Sequence, residues 1–247
     1  MIVAAIPAFN EEATVGDVVS RALRYVDKVV VVDDLSTGKL TNLNPAARFY
    51  KMGIESGELA RVFEEERPEI VNHQAAQIDV RKSVANPVFD ADVNIVGSLN
   101  LFEQCRKFGV KKIIFASSGG ACYGEQKRFP ADETHPLRPL SPYGIAKASV
   151  EMYLYFYYTA YGIDYTVLRY ANVYGPRQDP LGEAGVVAIF TNKMLRNETP
   201  IINGDGRQTR DYVYVDDVVG ANLLSLTKGS GQVYNIGTAK NRLSYCA

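Results

Sequence analysis

Four valines in a row at 29–32, preceded by Lys28 and followed by Asp33, restrict the fold of this chain more than any other feature. A strand with one face in water alternates apolar and polar residues. An unbroken β-branched run suits a strand covered on both faces. Strands of that kind are mostly parallel, and parallel neighbours need a crossover between them, usually a helix. The rest of the chain supplies the alternation. Apolar runs at 2–8, 70–73, 113–116 and 165–169 are interleaved with helical patterns at 13–25, 58–65, 87–108 and 143–161. This rhythm predicts an α/β fold with a doubly wound parallel sheet over residues 1–174. Beyond 174 the pattern loosens into a polar loop at 175–185, a helix at 186–196, a short strand at 201–202 and a glycine-rich turn. A smaller substrate lobe over 175–247 is expected, and no internal repeat is visible.

Composition removes several classes of function. A chain of 247 residues, 47% hydrophobic with a formal charge of −1, offers neither a nucleic-acid nor a membrane surface. Its length allows one large core or two small ones. The three cysteines, Cys105, Cys122 and Cys246, have neither metal-ligand spacing nor the even count of a disulfide framework. No metal site is expected. The N-terminus lacks a charged region followed by an apolar stretch and a cleavage site, and no run reaches the ~18 apolar residues of a membrane span. A soluble protein of the reducing cytoplasm is expected.

The chemistry concentrates at 141–147, Ser-Pro-Tyr-Gly-Ile-Ala-Lys. Pro142 suits a helix start, where its missing N–H is unpaired anyway. Tyr143 and Lys147 then lie one turn apart on a common face. A free phenol titrates near ~10, and a neighbouring ammonium favours the phenolate. The pair is an acid/base able to work near neutral pH. Alone, such a pattern also describes many amphipathic surface helices. Upstream, the strand at 113–116 runs into Ser117-Ser118-Gly119-Gly120. Carboxyl ends of parallel strands face the ligand crevice, so the Ser118 hydroxyl can bond a substrate oxygen and share a proton with Tyr143.

Further segments stand in family order over 29–238: His73-Gln74-Ala75-Ala76, Asn94 in Asp-Val-Asn-Ile-Val-Gly, Arg169-Tyr170-Ala171-Asn172-Val173-Tyr174-Gly175-Pro176, and Asn203-Gly204-Asp205-Gly206-Arg207-Gln208-Thr209-Arg210-Asp211-Tyr212. The chain resembles an extended short-chain dehydrogenase/reductase, with the UDP-glucose 4-epimerases as the nearest group. The resemblance implies a Rossmann-like sheet, NAD as cofactor, a UDP-sugar or related nucleotide sugar as substrate, and a homodimer built from the helices at 87–108 and 143–161. It gives catalysis to Ser118, Tyr143 and Lys147. Tyr143 takes the proton of the sugar 4-hydroxyl, Ser118 orients that hydroxyl, and hydride passes to the nicotinamide and returns to the other face. Asp33, Gln74, Ala75 and Asn94 join Tyr143 and Lys147 in holding NAD, and Asn172 and Arg210 contact the nucleotide diphosphate. The bland alternatives are a strand-end turn role for Asp33 and a surface pair of Arg210 with Asp211. Gly119-Gly120 stands where the related 4,6-dehydratases carry an Asp-Glu pair, which argues against dehydration.

Both ends depart from that family. Members place Gly-x-x-Gly-x-x-Gly after the first strand, so that backbone approaches the pyrophosphate at a helix N-terminus. Here the stretch is Ile6-Pro7-Ala8-Phe9-Asn10-Glu11-Glu12-Ala13-Thr14-Val15-Gly16. Asn10 is a good cap, and Glu11 and Glu12 fill the first turn, where they satisfy the helix dipole and repel an anion. Residues 1–34 resemble the start of a family 2 glycosyltransferase, and 35–38 rejoin the epimerase pattern. Gly53-Ile54 stands where members carry an Asp-Ile or Asp-Leu pair at the adenine. After Thr238 the family's nucleotide-gripping Arg and Asp are absent, so the substrate lobe reads as truncated. These departures predict weakened NAD binding and little turnover. Two other functions stay open: a non-catalytic recombined relic, and a nucleotide-sugar-binding, glycosyltransferase-like module on the first unit. In that unit Ile2, Val3, Ile6, Val15, Val18, Val19 and Leu23 are expected in the core. Tyr153, Leu154, Tyr157 and Tyr158 are expected on the dimer face.

Overall fold

The computed structural model describes residues 3–5, 23–180, 185–202 and 204–243, with backbone alone at 3–5 and 241–243. In chain order the strands are β1 (Val3–Ala5), β2 (Lys28–Asp33), β3 (Arg48–Lys51), β4 (Ile70–His73), β5 (Lys112–Ser118), β6 (Asp164–Tyr170), β7 (Asn172–Tyr174), β8 (Thr209–Tyr214), β9 (Gln232–Ile236) and β10 (Asn241–Leu243). Seven of them form one sheet in the order β3-β2-β1-β4-β5-β6-β9, and every neighbouring pair is parallel. Strand order reverses between β1 and β4, where sheets of this kind open a crevice beyond their carboxyl ends. The valine run behaves as its pattern requires. Val30 and Val32 join the core on one face with Leu59, Phe63 and Phe102. Val29 and Val31 join a second core on the other face with Val26 and Val219. Both sheet faces are covered, which defines the doubly wound fold.

The described helices are α1 (Leu59–Glu66), α2 (Val80–Ala85), α3 (Pro87–Ala91), α4 (Gly97–Phe108), α5 (Gly119–Cys122), α6 (Pro142–Tyr161), α7 (Val186–Leu195) and α8 (Val215–Ser225). The single helix expected over 87–108 is interrupted by a π turn at Asp92–Val96. Two side chains account for the interruption. The Asn94 amide reaches across to the backbone of Gln77, accepting from its N at 2.7 Å and donating to its O at 2.9 Å. Ser98 Oγ donates to the Asn94 carbonyl at 2.6 Å, competing with the helical ladder.

Three expectations are corrected. Ile201 and Ile202 form no strand and stand exposed. Strands β3, β8 and β9 and helix α8 were not legible as periodic runs, and β9 returns to the large sheet beside β6. Residues on both sides of 174 therefore build that sheet, while β7, β8 and β10 form a separate three-stranded one. Leu154 and Tyr157, expected on a dimer face, are 1% and 5% exposed and pack in the core. Of the expected core positions in the first unit, Leu23 is half-buried against Val26 and Val29. Ile2, Val3, Ile6, Val15, Val18 and Val19 lie outside the described side chains.

Candidate active site

β5 delivers Ser118 to the carboxyl edge of the sheet, paired in register with Tyr170 of β6. There the Ser118 hydroxyl caps α5, accepting from Ala121 N at 3.3 Å. α6 begins opposite. Ser141 Oγ accepts from Gly144 N at 3.1 Å and Pro142 occupies the first turn. Gly144 is needed for close approach: a Cβ on it would lie 2.5 Å from the Ala121 carbonyl oxygen. The first turn of α6, with Tyr143, is thereby docked onto the turn that begins at Ser118. One turn on, Lys147 is only 4% exposed. Its ammonium donates to the Ala116 carbonyl at 2.9 Å, lies 4.8 Å from the Phe115 ring centroid and 5.8 Å from that of Tyr143. The structure thus brings Ser118, Tyr143 and Lys147 to one place, with Tyr143 and Ser118 half-buried and the lysine beneath them.

That lysine is felt by its neighbours. His73, fully buried at the end of β4, is pulled down to about 3 by burial and by the Lys147 charge. Its Nε2 pairs with Ser98 Oγ at 2.8 Å, and Nδ1 has no partner. Burial raises the Asp90 carboxyl, against hydrogen bonds from Gln77 and Asn94 that favour its charge.

A polar network that no local spacing in the sequence reveals as a whole lies beside the site. Glu151 follows Lys147 by one more turn on the same face of α6. Its carboxylate accepts from Arg169 Nε at 3.0 Å, Arg169 Nη2 at 2.6 Å and Ser117 Oγ at 2.5 Å, all buried. Burial works against the Arg169 charge, but the Glu151 contacts outweigh it and hold the guanidinium above its ordinary range. Arg169 also donates to Tyr123 Oη at 2.8 Å, and Tyr123 donates to Asn235 at 2.7 Å. The signal was available: 143, 147 and 151 are spaced by four, and Arg169 interrupts an otherwise apolar strand.

The expected cofactor residues divide. Asp33 and Ala75 line a cleft of about 180 Å³, with Asp34, Ser36, Thr37, Gly53, Ile54, Glu55, Phe89 and Val93 among its other walls. A carboxylate at the end of β2 beside a half-apolar cleft suits the adenosine half of a dinucleotide, so these residues fit NAD. Gln74 lies elsewhere. Its amide donates to Asn72 Oδ1 at 2.5 Å and Asn222 Oδ1 at 3.1 Å and accepts from Tyr170 Oη at 3.3 Å. The Asn94 amide bonds to Gln77 and to Asp90 at 3.0 Å, and so braces the loop that borders the cleft. Glu11, Glu12 and Gly16 lie outside the described residues.

Asn172 and Arg210 meet on the small sheet, where Asn172 pairs with Tyr212, two residues beyond Arg210. Asn172 Nδ2 donates to the Asp211 carbonyl at 3.2 Å. The surface pair of Arg210 with Asp211 is not formed. Asp211 instead holds the turn after β9, accepting from Thr238 N at 3.0 Å and Ala239 N at 2.9 Å, and Arg210 is exposed, its Nη1 donating to the Thr209 carbonyl at 2.7 Å. Among the described residues no His, Cys, Asp or Glu group can hold a metal ion, and no helix is long and apolar enough to cross a membrane.

A parallel sheet in this order, with a serine, tyrosine and lysine at its carboxyl edge and an acid-walled cleft at its switch point, defines a dinucleotide-dependent enzyme of the short-chain dehydrogenase/reductase type. The chain belongs to the NAD dependent epimerase/dehydratase family, whose model matches residues 14–237. It is 46% identical over 226 residues to the UDP-glucose 4-epimerase of Mycolicibacterium smegmatis, covering 89% of this chain and 72% of that one. The crystal structure of a Thermotoga maritima UDP-glucose 4-epimerase with UDP-glucose superposes at a TM-score of 0.94 and 53% identity, covering 99% of this chain and 79% of that one. A Thermus thermophilus UDP-glucose 4-epimerase in complex with NAD superposes at 0.91 and 42% identity, covering 98% and 80%. The match begins inside the segment that resembles a glycosyltransferase start, and that second resemblance gains no support.

Proposed function

We propose that the chain interconverts C4 epimers of a UDP-linked hexose as an NAD-dependent 4-epimerase. The observation that carries the reading is the buried Lys147 ammonium, 5.8 Å from the Tyr143 ring and one strand end from Ser118. Tyr143 takes the proton of the sugar 4-hydroxyl and returns it. The nearby ammonium favours negative charge on the phenol. Ser118 orients the same hydroxyl, and Asn172 and the exposed Arg210 contact the diphosphate, Arg210 as a charge-assisted donor. NAD, when bound, accepts and returns the hydride of C4. Asp33 and Ala75 would hold its adenosine half, and Lys147 its nicotinamide ribose. A dehydratase reading lacks an acid beside Ser118, where Gly119 and Gly120 stand. The function suits the cytoplasm and a homodimer.

Conversion of UDP-galactose to UDP-glucose, followed while NAD is titrated, tests this. Turnover is expected only at high NAD, because Glu11 and Glu12 replace the glycine turn and each lost hydrogen bond to a charge costs roughly 1.5–3 kcal/mol. Tyr143→Phe should lower kcat by about 10²–10⁴. No turnover at millimolar NAD, or an unaffected Tyr143→Phe, overturns the reading. Micromolar NAD affinity overturns only the weakened-binding part.

A further inference from the structure

We propose that Glu151 is a positioning residue for the reacting groups, holding the helix of Tyr143 and Lys147 at one height against the strand end that carries Ser118; the assignment rests on the epimerase reading above. Ser117 and Arg169 are partners in register on β5 and β6, and the Glu151 carboxylate meets both from α6. Its Oε1 takes Ser117 Oγ at 2.5 Å and Arg169 Nε at 3.0 Å, and its Oε2 takes Arg169 Nη2 at 2.6 Å. Along α6, Glu151 stands two turns from Tyr143 and one from Lys147. Along β5, Ser117 is the residue before Ser118. One carboxylate therefore joins the two halves of the site, through the helix on one side and a single peptide unit on the other.

Stability does not account for this clamp. Glu151, Arg169 and Ser117 are all buried. Once desolvation is counted, a buried ion pair gains little over apolar residues of similar volume. What the clamp adds is direction. Ala146, Val150 and Leu154 also bury α6. Their apolar attraction is non-directional, so it fixes no single height of the helix on the sheet. A guanidinium forked on a carboxylate fixes both distance and angle. The fork is braced from behind, because Arg169 Nη1 donates to Tyr123 Oη at 2.8 Å, and Tyr123 follows the turn that Ser118 caps. Strand end, turn and helix are thus locked to one another beneath the reacting groups.

The double variant Glu151→Met with Arg169→Met, assayed on UDP-galactose at saturating NAD, separates position from stability. Exchanging the whole pair for apolar residues strands no charge, so the variant should fold with a Tm close to that of the unmodified chain. Its KM for UDP-galactose and its calorimetric NAD affinity should stay within about twofold, while kcat falls by about 10²-fold, the scale of a misplacement of about 1 Å at a reacting group. Ser117→Ala, which removes one arm and leaves the ion pair, should lose about tenfold in kcat with KM unchanged, the scale of one hydrogen bond to a charge. It decides alone if the double variant does not fold. A kcat within twofold of the unmodified chain, or a loss that appears in KM or NAD affinity instead, overturns the assignment and leaves the epimerase reading standing. No turnover by the unmodified chain overturns both.

Discussion

At the residue scale, His73 sets an acid limit. It is fully buried, and burial together with the Lys147 charge pulls it down to about 3, so the folded chain keeps it neutral. An unfolded histidine takes up its proton near ~6.5. Between about 6.5 and 3 the unfolded state binds the extra proton, so stability falls as pH falls through that window and is fully present above it. Urea unfolding at pH 7, 5.5 and 4.5 should show the unmodified chain losing about 1.4 kcal/mol per pH unit more than His73→Asn in the steep part. Parallel pH slopes for the two proteins would rule this out. Burial raises the thiols of Cys105 and Cys122 as well, which disfavours their reactive thiolate form in the folded state.

At the scale of elements, the contact between α5 and α6 decides activity. Tyr143 was readable as a candidate from a seven-residue string. What puts it beside Ser118 is the bare Gly144 against the Ala121 carbonyl, where a Cβ would stand at 2.5 Å. Gly144→Ala must shift α6 or α5. An overpacked contact costs about 1–3 kcal/mol, and a misplacement of about 1 Å at a reacting group can cost on the order of 10²-fold. The variant should fold with a lowered Tm and lose about 10²-fold in kcat under saturating NAD. Unchanged kcat would show that the approach of the two elements is not what aligns the pair. The Glu151–Arg169–Ser117 network ties the same helix to β5 and β6 and was hidden because its members are far apart in sequence.

At the scale of the whole molecule, α6 carries more apolar surface than its own sheet can cover. Leu154 and Tyr157 turn inward, while Met152, Tyr155 and Phe156 are 66%, 60% and 48% exposed, with Tyr153 and Tyr158 beside them. Monomers seldom expose so much contiguous apolar surface. We therefore expect a two-fold pairing of α4 and α6 with their copies. Light scattering at micromolar protein should give twice the chain mass, and Phe156→Glu should halve it. A monomer from the unmodified chain removes the dimer.

The sequence alone determined the parallel sheet, because a buried β-branched run admits few other settings. It also determined the Tyr143–Lys147 pair and the Ser118 turn, because helical spacing and strand ends are local facts. Tertiary structure decided the rest. β9 is a short half-buried run whose place beside β6 depends on what packs against it. The amide of Asn94 bonds to Gln77, seventeen residues upstream, and to Asp90. In each case the deciding partner lies off the local period, so no spacing rule reaches it; only burial and hydrogen-bond satisfaction in the closed fold select it.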